Sequence, residues 1–175
     1  MTGSAAAAAS SSTPSLRRRM ACFVYEGVLL FGVLMISGYL FSTLTQQRHA
    51  LTGRFGLQAF LFIVLGVYFT WFWSHGGQTV AMKAWHIRLL RRGGAPVTQL
   101  RAFARYLLSW MWFLPALVVL WLSDEHGMAA VAVALLAGVA GFAALALLHP
   151  SRQFWHDTLC GTELITSRPD RPAAA

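Results

Sequence analysis

Charged residues are scarce in this chain of 175 residues. Asp, Glu, Lys and Arg together make up 11% of it, whereas 57% of its residues are hydrophobic. A soluble domain carries roughly 25% charged residues, so the composition excludes an ordinary water-soluble globular domain. Cysteine is scarce as well. Cys22 and Cys160 form no Cys-x-x-Cys pair, which argues against a zinc or redox motif and against a disulfide framework.

Long apolar runs take the place of the missing charge. Four of them approach the roughly 20 residues that a membrane helix needs. They are Met20–Leu44, Leu57–His75, Tyr106–Leu122 and Met128–Leu148. Pro115 lies near the middle of the third run, where a kink is tolerable because neighbouring helices can satisfy the freed carbonyl. The pattern predicts an all-α membrane protein with four transmembrane helices.

The boundaries of the domain follow from composition. Residues 1–15 are rich in Ala and Ser, and residues 166–175 have a similar composition, so both segments are predicted to be disordered tails. Residues 16–165 then form one transmembrane domain. Its first apolar run is too long for a signal peptide and is followed by no small-residue cleavage site, so it predicts a retained helix.

Acidic residues are fewer than basic ones, six against 14, which gives a net charge of +8. This charge does not indicate a nucleic-acid ligand, because most basic residues lie before the first run, between the second and third, and after the fourth. They are Arg17, Arg18, Arg19, Lys83, Arg88, Arg91, Arg92, Arg101, Arg105, Arg152, Arg168 and Arg171. The positive-inside rule then predicts that both termini lie in the cytoplasm. The basic residues are expected to contact anionic lipid head groups.

The segment between the second and third runs has its own pattern. Residues 79–90 place apolar side chains at helical spacing beside Lys83 and Arg88, which predicts an amphipathic helix in the membrane interface. A turn at 91–96 follows, and a second short amphipathic helix is expected over Val97–Arg105. Two interpretations stay open: a lipid-facing basic helix without a ligand, or a docking surface or phosphate site.

Small residues recur in the fourth run. Ala130, Ala134 and Gly138 repeat every four residues, as do Ala137 and Gly141. Such faces let helices approach closely. The pattern favours packing inside a four-helix bundle and leaves a homo-oligomer or a membrane-protein partner open.

Glu26 is the only acidic residue inside an apolar run. A charge at that depth is retained when it is paired, protonated or in contact with water. Arg19 lies seven residues earlier, hence on the same helix face. We expect a polar cluster on the cytoplasmic side. Its predicted members are Arg19, Glu26, Arg105, Arg152, His156 and Asp157. The cluster is either an ion-pair clasp between helix ends or a site that handles protons or cations.

Catalytic motifs are absent from the sequence. His156-Asp157 is a dipeptide that can ligate a metal, but one such pair without further ligands is a weak signal. The sequence has no Gly-rich phosphate loop and no Ser-His-Asp set. We therefore expect no enzyme, no metal and no cofactor.

The motifs resemble those of the RDD family of bacterial membrane proteins, named for an Arg and two Asp residues. Arg19 and Glu26 match its first block, with Glu where the family has Asp. Its second block resembles the loop motif Gly77, Gln78, Thr79, Lys83 and Arg88, and its closing block resembles His156-Asp-Thr-Leu-Cys-Gly-Thr162. Gly94 and Arg105 resemble the turn and the Arg that heads the next helix.

The resemblance implies a bacterial inner-membrane protein with a suspected transport role. The sequence therefore leaves two functions open. One is a small ion, proton or solute transporter that uses the charged cluster. The other is a non-catalytic membrane module that binds a protein partner or lipid and stabilises or assembles a complex.

Overall fold

The computed structural model describes residues 12–45, 54–123, 127–148 and 153–167. Within them the helices are α1 (Leu16–Leu44), α2 (Arg54–Ser74), α3 (Val80–Ala84), α4 (Gln99–Ser109), α5 (Leu114–Ser123), α6 (Met128–Leu148) and α7 (Trp155–Leu159). The strands are β1 (Ile87–Arg91) and β2 (Thr162–Thr166). A 3-10 turn, Trp110–Trp112, separates α4 from α5.

The described residues contain three helices, α1, α2 and α6, that are long and apolar enough to cross a membrane. The pair α4 and α5 is a fourth span if it is counted as one bent segment, with a bend of 41°. The break between the two helices lies just before Pro115, in the run where a kink is tolerable. Pro115 is the second residue of α5, a position where its missing N–H costs little, and it cannot continue the hydrogen-bond ladder of α4.

The segment after α2 differs from the amphipathic helix expected over residues 79–90. The helix there is limited to α3, and β1 follows it. Thr79 begins α3, and its hydroxyl accepts a hydrogen bond from Met82 N. His86 ends the helical path, because its φ of +51° lies in the left-handed region. The second helix was predicted more closely, since α4 covers most of Val97–Arg105.

A two-stranded antiparallel sheet therefore adds β structure to the mainly helical chain. Leu89 lies opposite Leu164, and Ile87 lies opposite Thr166. Ile87 and Leu89 are buried whereas Arg88 between them is exposed, which is the alternation of a half-buried strand. The sequence did not predict this strand, because the apolar residues of β1 fit a helical repeat nearly as well and its partner, β2, lies far along the chain.

Both outer edges of this sheet are occupied by other parts of the chain. Beside β1, Leu89 N donates to Gly77 O at 2.7 Å, and Gln78 Nε2 donates to Ile87 O at 2.7 Å. Beside β2, Thr166 N donates to Ser12 O at 3.1 Å. Ser12 and Thr166 belong to the two predicted tails, so residues adjoining the transmembrane domain are ordered. The rest of the tails, residues 1–11 and 168–175, lie outside the described residues.

The closest packing lies where the sheet meets the start of α1, the end of α2, the start of α4, and α7. We call this region the sheet end. Tyr106, Ile87, Leu89, Thr79, Thr162 and Asp157 are its largest fully buried side chains. Along the helices away from this region, many large apolar side chains are exposed, as expected for surfaces that face lipid.

The small residues of α6 have different surroundings. A Cβ added at Gly138 would lie 3.1 Å from Ala116 Cβ of α5, whereas one at Gly141 would have no neighbour within 4 Å. Gly138 therefore serves close packing of α6 against α5 inside the chain.

Two buried polar clusters at the sheet end

Glu26 lies on the inner face of α1 and is only 8% exposed. Tyr68 OH of α2 donates to Glu26 Oε1 at 2.7 Å, and Thr79 Oγ1 donates to Glu26 Oε2. We call Glu26, Tyr68 and Thr79 the Glu26 cluster. Among the described residues, no Lys or Arg forms an ion pair or a hydrogen bond with this carboxylate. Hydroxyl groups from two other elements hold it instead.

Thr79 owes its position to the local fold. As the residue that caps α3, it accepts a hydrogen bond from Met82 N at 3.2 Å and is completely buried. Gly77, two residues earlier, has a φ of +71°, and a Cβ there would collide with Leu89 O of β1. A glycine at this position lets the chain leave α2, pass close along β1 and present Thr79 to α1.

A second cluster forms around Asp157 of α7. Arg105 Nε of α4 donates to Asp157 Oδ1 at 2.6 Å, and both side chains are buried. The Arg105 guanidinium also stacks over the ring of Trp73, with its carbon 4.1 Å from the ring centre. We call Arg19, Arg105, His156 and Asp157 the Asp157 cluster. Its central ion pair joins α4 to α7.

His156 is neutral in this cluster. Burial is the main reason that its pKa falls from 6.5 to about 4, against the opposite effect of Asp157. Trp112 Nε1 lies 3.4 Å from His156 Nδ1. An indole N–H can only donate, so Nδ1 is the acceptor and the ring proton sits on Nε2. That nitrogen lies 3.5 Å from Asp157 Oδ1, where it adds a weak favourable contact to the carboxylate.

Arg19 belongs to the Asp157 cluster and not to Glu26. Its guanidinium carbon lies 4.4 Å above the centre of the Phe154 ring, and Asp157 acts on it electrostatically. Its Nε and NH1 groups have no hydrogen-bond partner within the described part of the chain, and neither does Asp157 Oδ2. Arg19 is 4% exposed, so its positive charge depends on the nearby carboxylate and the aromatic face.

The closing motif of the chain builds this cluster from its own short elements. Asp157 lies on α7, and Gly161 turns the chain into β2 with a φ of +63°. Thr162 Oγ1 donates back to the Asp157 carbonyl at 3.2 Å, and Arg101 NH1 donates to the Cys160 carbonyl at 3.1 Å. Burial raises the pKa of the Cys160 thiol, which keeps it protonated and unreactive.

The single cluster expected from the sequence is therefore divided in two. The structure brings Arg19, Arg105, His156 and Asp157 together, and it places Glu26 in a separate cluster with Tyr68 and Thr79. Arg152, the sixth predicted member, lies outside the described residues.

The loop motif is divided in the same way. Gly77, Gln78 and Thr79 position the chain, whereas Lys83 and Arg88 are exposed. A docking role therefore remains open only for the two cations, because the other three residues are engaged within the chain.

Sequence reasoning missed Tyr68 and Trp112. Tyr68 is the only tyrosine within α2, and a polar hydroxyl inside an apolar helix is a signal that its partner is polar too. Trp112 is one of seven tryptophans in the chain, and its place in the sequence does not distinguish it from the others. Its role as a donor to His156 depends on the bend between α4 and α5, which no local pattern reveals.

Comparison with known proteins assigns the chain to a family. No curated protein and no solved structure matches this chain. The model of the RDD family matches residues 13–161, which cover α1 to α7 and both polar clusters. This mostly helical membrane protein belongs to the RDD family.

Proposed function

We propose that this protein is a bacterial inner-membrane transporter that exchanges protons or small cations, with Glu26 as the exchanging group. The observation that carries the proposal is the composition of the Glu26 cluster. A buried carboxylate inside a membrane helix is held by two hydroxyl groups, from Tyr68 and Thr79, and by no fixed positive charge from the described part of the chain. The proposal assigns no catalytic residue and no cofactor.

Hydroxyl partners suit a group that changes its charge. A hydroxyl can donate to an ionised carboxylate or accept from a protonated one. The Glu26 cluster can therefore satisfy its hydrogen bonds in both states. Its oxygen atoms are also the type of ligand that hard cations prefer. A carboxylate in a membrane-embedded helix is by default a candidate for an ion or proton pathway.

The Asp157 cluster has the opposite character. If Asp157 were protonated, Arg105 and Arg19 would remain buried without a counter-charge, which is strongly unfavourable. We therefore assign the Asp157 cluster to holding α4 and α7 together, and we confine the exchange role to Glu26. The positive-inside rule places both clusters near the cytoplasmic face. Four helices leave little room for a pathway within one subunit, so a homo-oligomer is part of the proposal.

Proton flux into proteoliposomes under an imposed pH gradient tests this function. We expect flux from the wild type and none above protein-free liposomes from Glu26→Gln. Glu163→Gln is the matched control, because it removes the same charge from β2, outside the membrane helices. Tyr68→Phe should give intermediate flux, since one of the two hydroxyl partners remains.

Folding has to be checked for each variant by its size-exclusion profile in detergent. Wild-type flux that a well-folded Glu26→Gln variant retains would contradict the proposal. So would the complete absence of wild-type flux of protons, Na⁺ and K⁺.

A second candidate function is a non-catalytic module that binds a protein partner or lipid and stabilises a membrane complex. The exposure of Lys83 and Arg88 beside the two-stranded sheet favours it. Purification in mild detergent would then recover a stoichiometric partner, and the double change Lys83→Glu with Arg88→Glu would release it. Recovery of the chain alone would count against this alternative.

A further inference from the structure

An open groove runs along the outside of the bundle between α2 and α4. Its volume is about 360 Å³. Phe62, Ile63, Val67 and Phe103 give it an apolar lining, whereas Ser74 and Gln99 lie at one end of it. The groove is separate from both polar clusters, and the proposed transport function does not depend on it.

The polarity of the groove changes along its length. Ser74 is the last residue of α2 and Gln99 is the first of α4, so the polar end coincides with the sheet end. Ile63 lies eleven residues before Ser74, which corresponds to roughly 16 Å along a helix. One leaflet of the hydrocarbon core is about 15 Å thick. The groove from Ile63 to its polar end therefore has about the length of one leaflet.

The groove opens toward lipid. Val67 is 65% exposed although it lies in the middle of a membrane helix. Trp71, one turn nearer the polar end, is also exposed, and an aromatic side chain in that position marks the level of the head groups. A molecule that enters from the bilayer would place an apolar chain beside Phe62 and Val67 and a polar group beside Gln99.

Charge decides which head group fits. Apart from Arg54, every Lys and Arg among the described residues lies at positions 17–19 or 83–105, which are at the sheet end. Arg88 packs against Gly77, three residues beyond Ser74 at the polar end of the groove. Anionic lipids are attracted to such basic regions.

We propose that this groove binds one acyl chain of an anionic phospholipid of the bilayer, with its phosphate at the end formed by Ser74 and Gln99. The apolar lining selects the chain, and the surrounding basic residues select the charge. The lipid packs against both α2 and α4, so it stabilises the contact between them.

Native mass spectrometry of the full chain, purified and stripped of lipid in detergent, tests the proposal. The probes are phosphatidylglycerol, phosphatidylcholine with the same chains, and palmitate. We expect one phosphatidylglycerol per chain to persist after activation, and the other two probes to be lost at lower energy.

Two variants separate the groove from the bilayer-facing surface in general. Val67→Trp fills the groove and should reduce retention of phosphatidylglycerol several-fold. Val28→Trp makes the same change on the lipid-facing side of α1, where Val28 is 68% exposed, and should leave retention unchanged. Gln99→Glu, which suits a helix N-terminus and should fold normally, should weaken phosphatidylglycerol but not phosphatidylcholine.

Three results would overturn the proposal. The first is the absence of a retained phospholipid in the wild type. The second is equal retention by Val67→Trp and Val28→Trp. The third is equal retention of phosphatidylglycerol and either phosphatidylcholine or palmitate, which would remove the assignment of an anionic phospholipid.

Discussion

The side chain of Gln153 pairs with Leu164 as a residue of a neighbouring strand would. Gln153 Nε2 donates to Leu164 O at 3.1 Å, and Leu164 N donates to Gln153 Oε1 at 3.2 Å. A primary amide offers the same donor and acceptor as a peptide group. It therefore satisfies the outer edge of β2, which would otherwise be left unpaired in a buried place.

Gln153→Glu tests this relationship with little change in shape. The carboxylate keeps an acceptor for Leu164 N but loses the donor to Leu164 O, so a buried carbonyl is left unpaired. We expect a loss of about 1–3 kcal/mol of stability, measured as a lower thermal midpoint in detergent. Gln58→Glu, at an exposed position near the start of α2, is the control and should leave the midpoint unchanged. Equal midpoints for both variants would show that the amide pairing is dispensable.

Gly77→Ala should destabilise the protein far more than Gly76→Ala. An added Cβ at Gly77 collides with Leu89 O, and the left-handed φ of +71° adds about 1 kcal/mol for a non-glycine residue. A Cβ at Gly76 meets nothing within 4 Å. The measurement is the yield of monodisperse protein by size exclusion, followed by the thermal midpoint. Similar behaviour of the two alanine variants would contradict the close passage of residue 77 along β1.

Asp157→Asn should cost about 3–5 kcal/mol, because Arg105 would keep a buried charge without its partner. Glu163→Gln removes a carboxylate from the adjacent strand, where it is only half-buried, and should cost little. Thermal unfolding in detergent measures both. The triple variant R19M/R105M/D157L should recover much of the loss, since it leaves neither arginine buried without a counter-charge. If the triple variant is as unstable as D157N, the charged cluster is not what the fold requires.

Acid should destabilise the protein through His156. In the folded protein its pKa is about 4, whereas the ordinary value is 6.5. Between these values the unfolded chain binds a proton that the folded chain does not. The contribution of His156 to stability is therefore constant above pH 6.5 and falls as the pH drops toward 4.

His156→Asn removes this titration. Its thermal midpoint should fall less between pH 7 and pH 5 than that of the wild type. A parallel decline in both proteins would assign the acid sensitivity to another group.

The sequence predicted the membrane helices and the inner face of α1 well. Hydropathy alone located α1, α2 and α6, because lipid imposes long apolar runs. Arg19, Cys22 and Glu26 share one face at helical spacing, and they are the buried residues of α1. Local periodicity is sufficient for such features.

The sequence did not predict which residues Arg19 and Glu26 contact. Arg19 and Glu26 lie on the same face of α1, but Arg19 lies near Asp157 of α7 whereas Glu26 binds Tyr68 of α2. The sheet was missed for a related reason. β1 has an ambiguous apolar pattern, and only its pairing with β2 decides its conformation. The energy of pairing between distant segments cannot be inferred from the residues of either segment alone.

The sheet can form only late in biosynthesis. β1 leaves the ribosome while α4, α5 and α6 are still unmade, and its partner Thr162–Thr166 follows all of them. During insertion of these helices Arg105 has no carboxylate beside it, and Leu89 has no strand opposite it. A nascent chain stopped before Gln153 would therefore carry inserted helices and an open sheet end. Synthesis of residues 153–167 is therefore the step that supplies the missing carboxylate and strand and completes the sheet end.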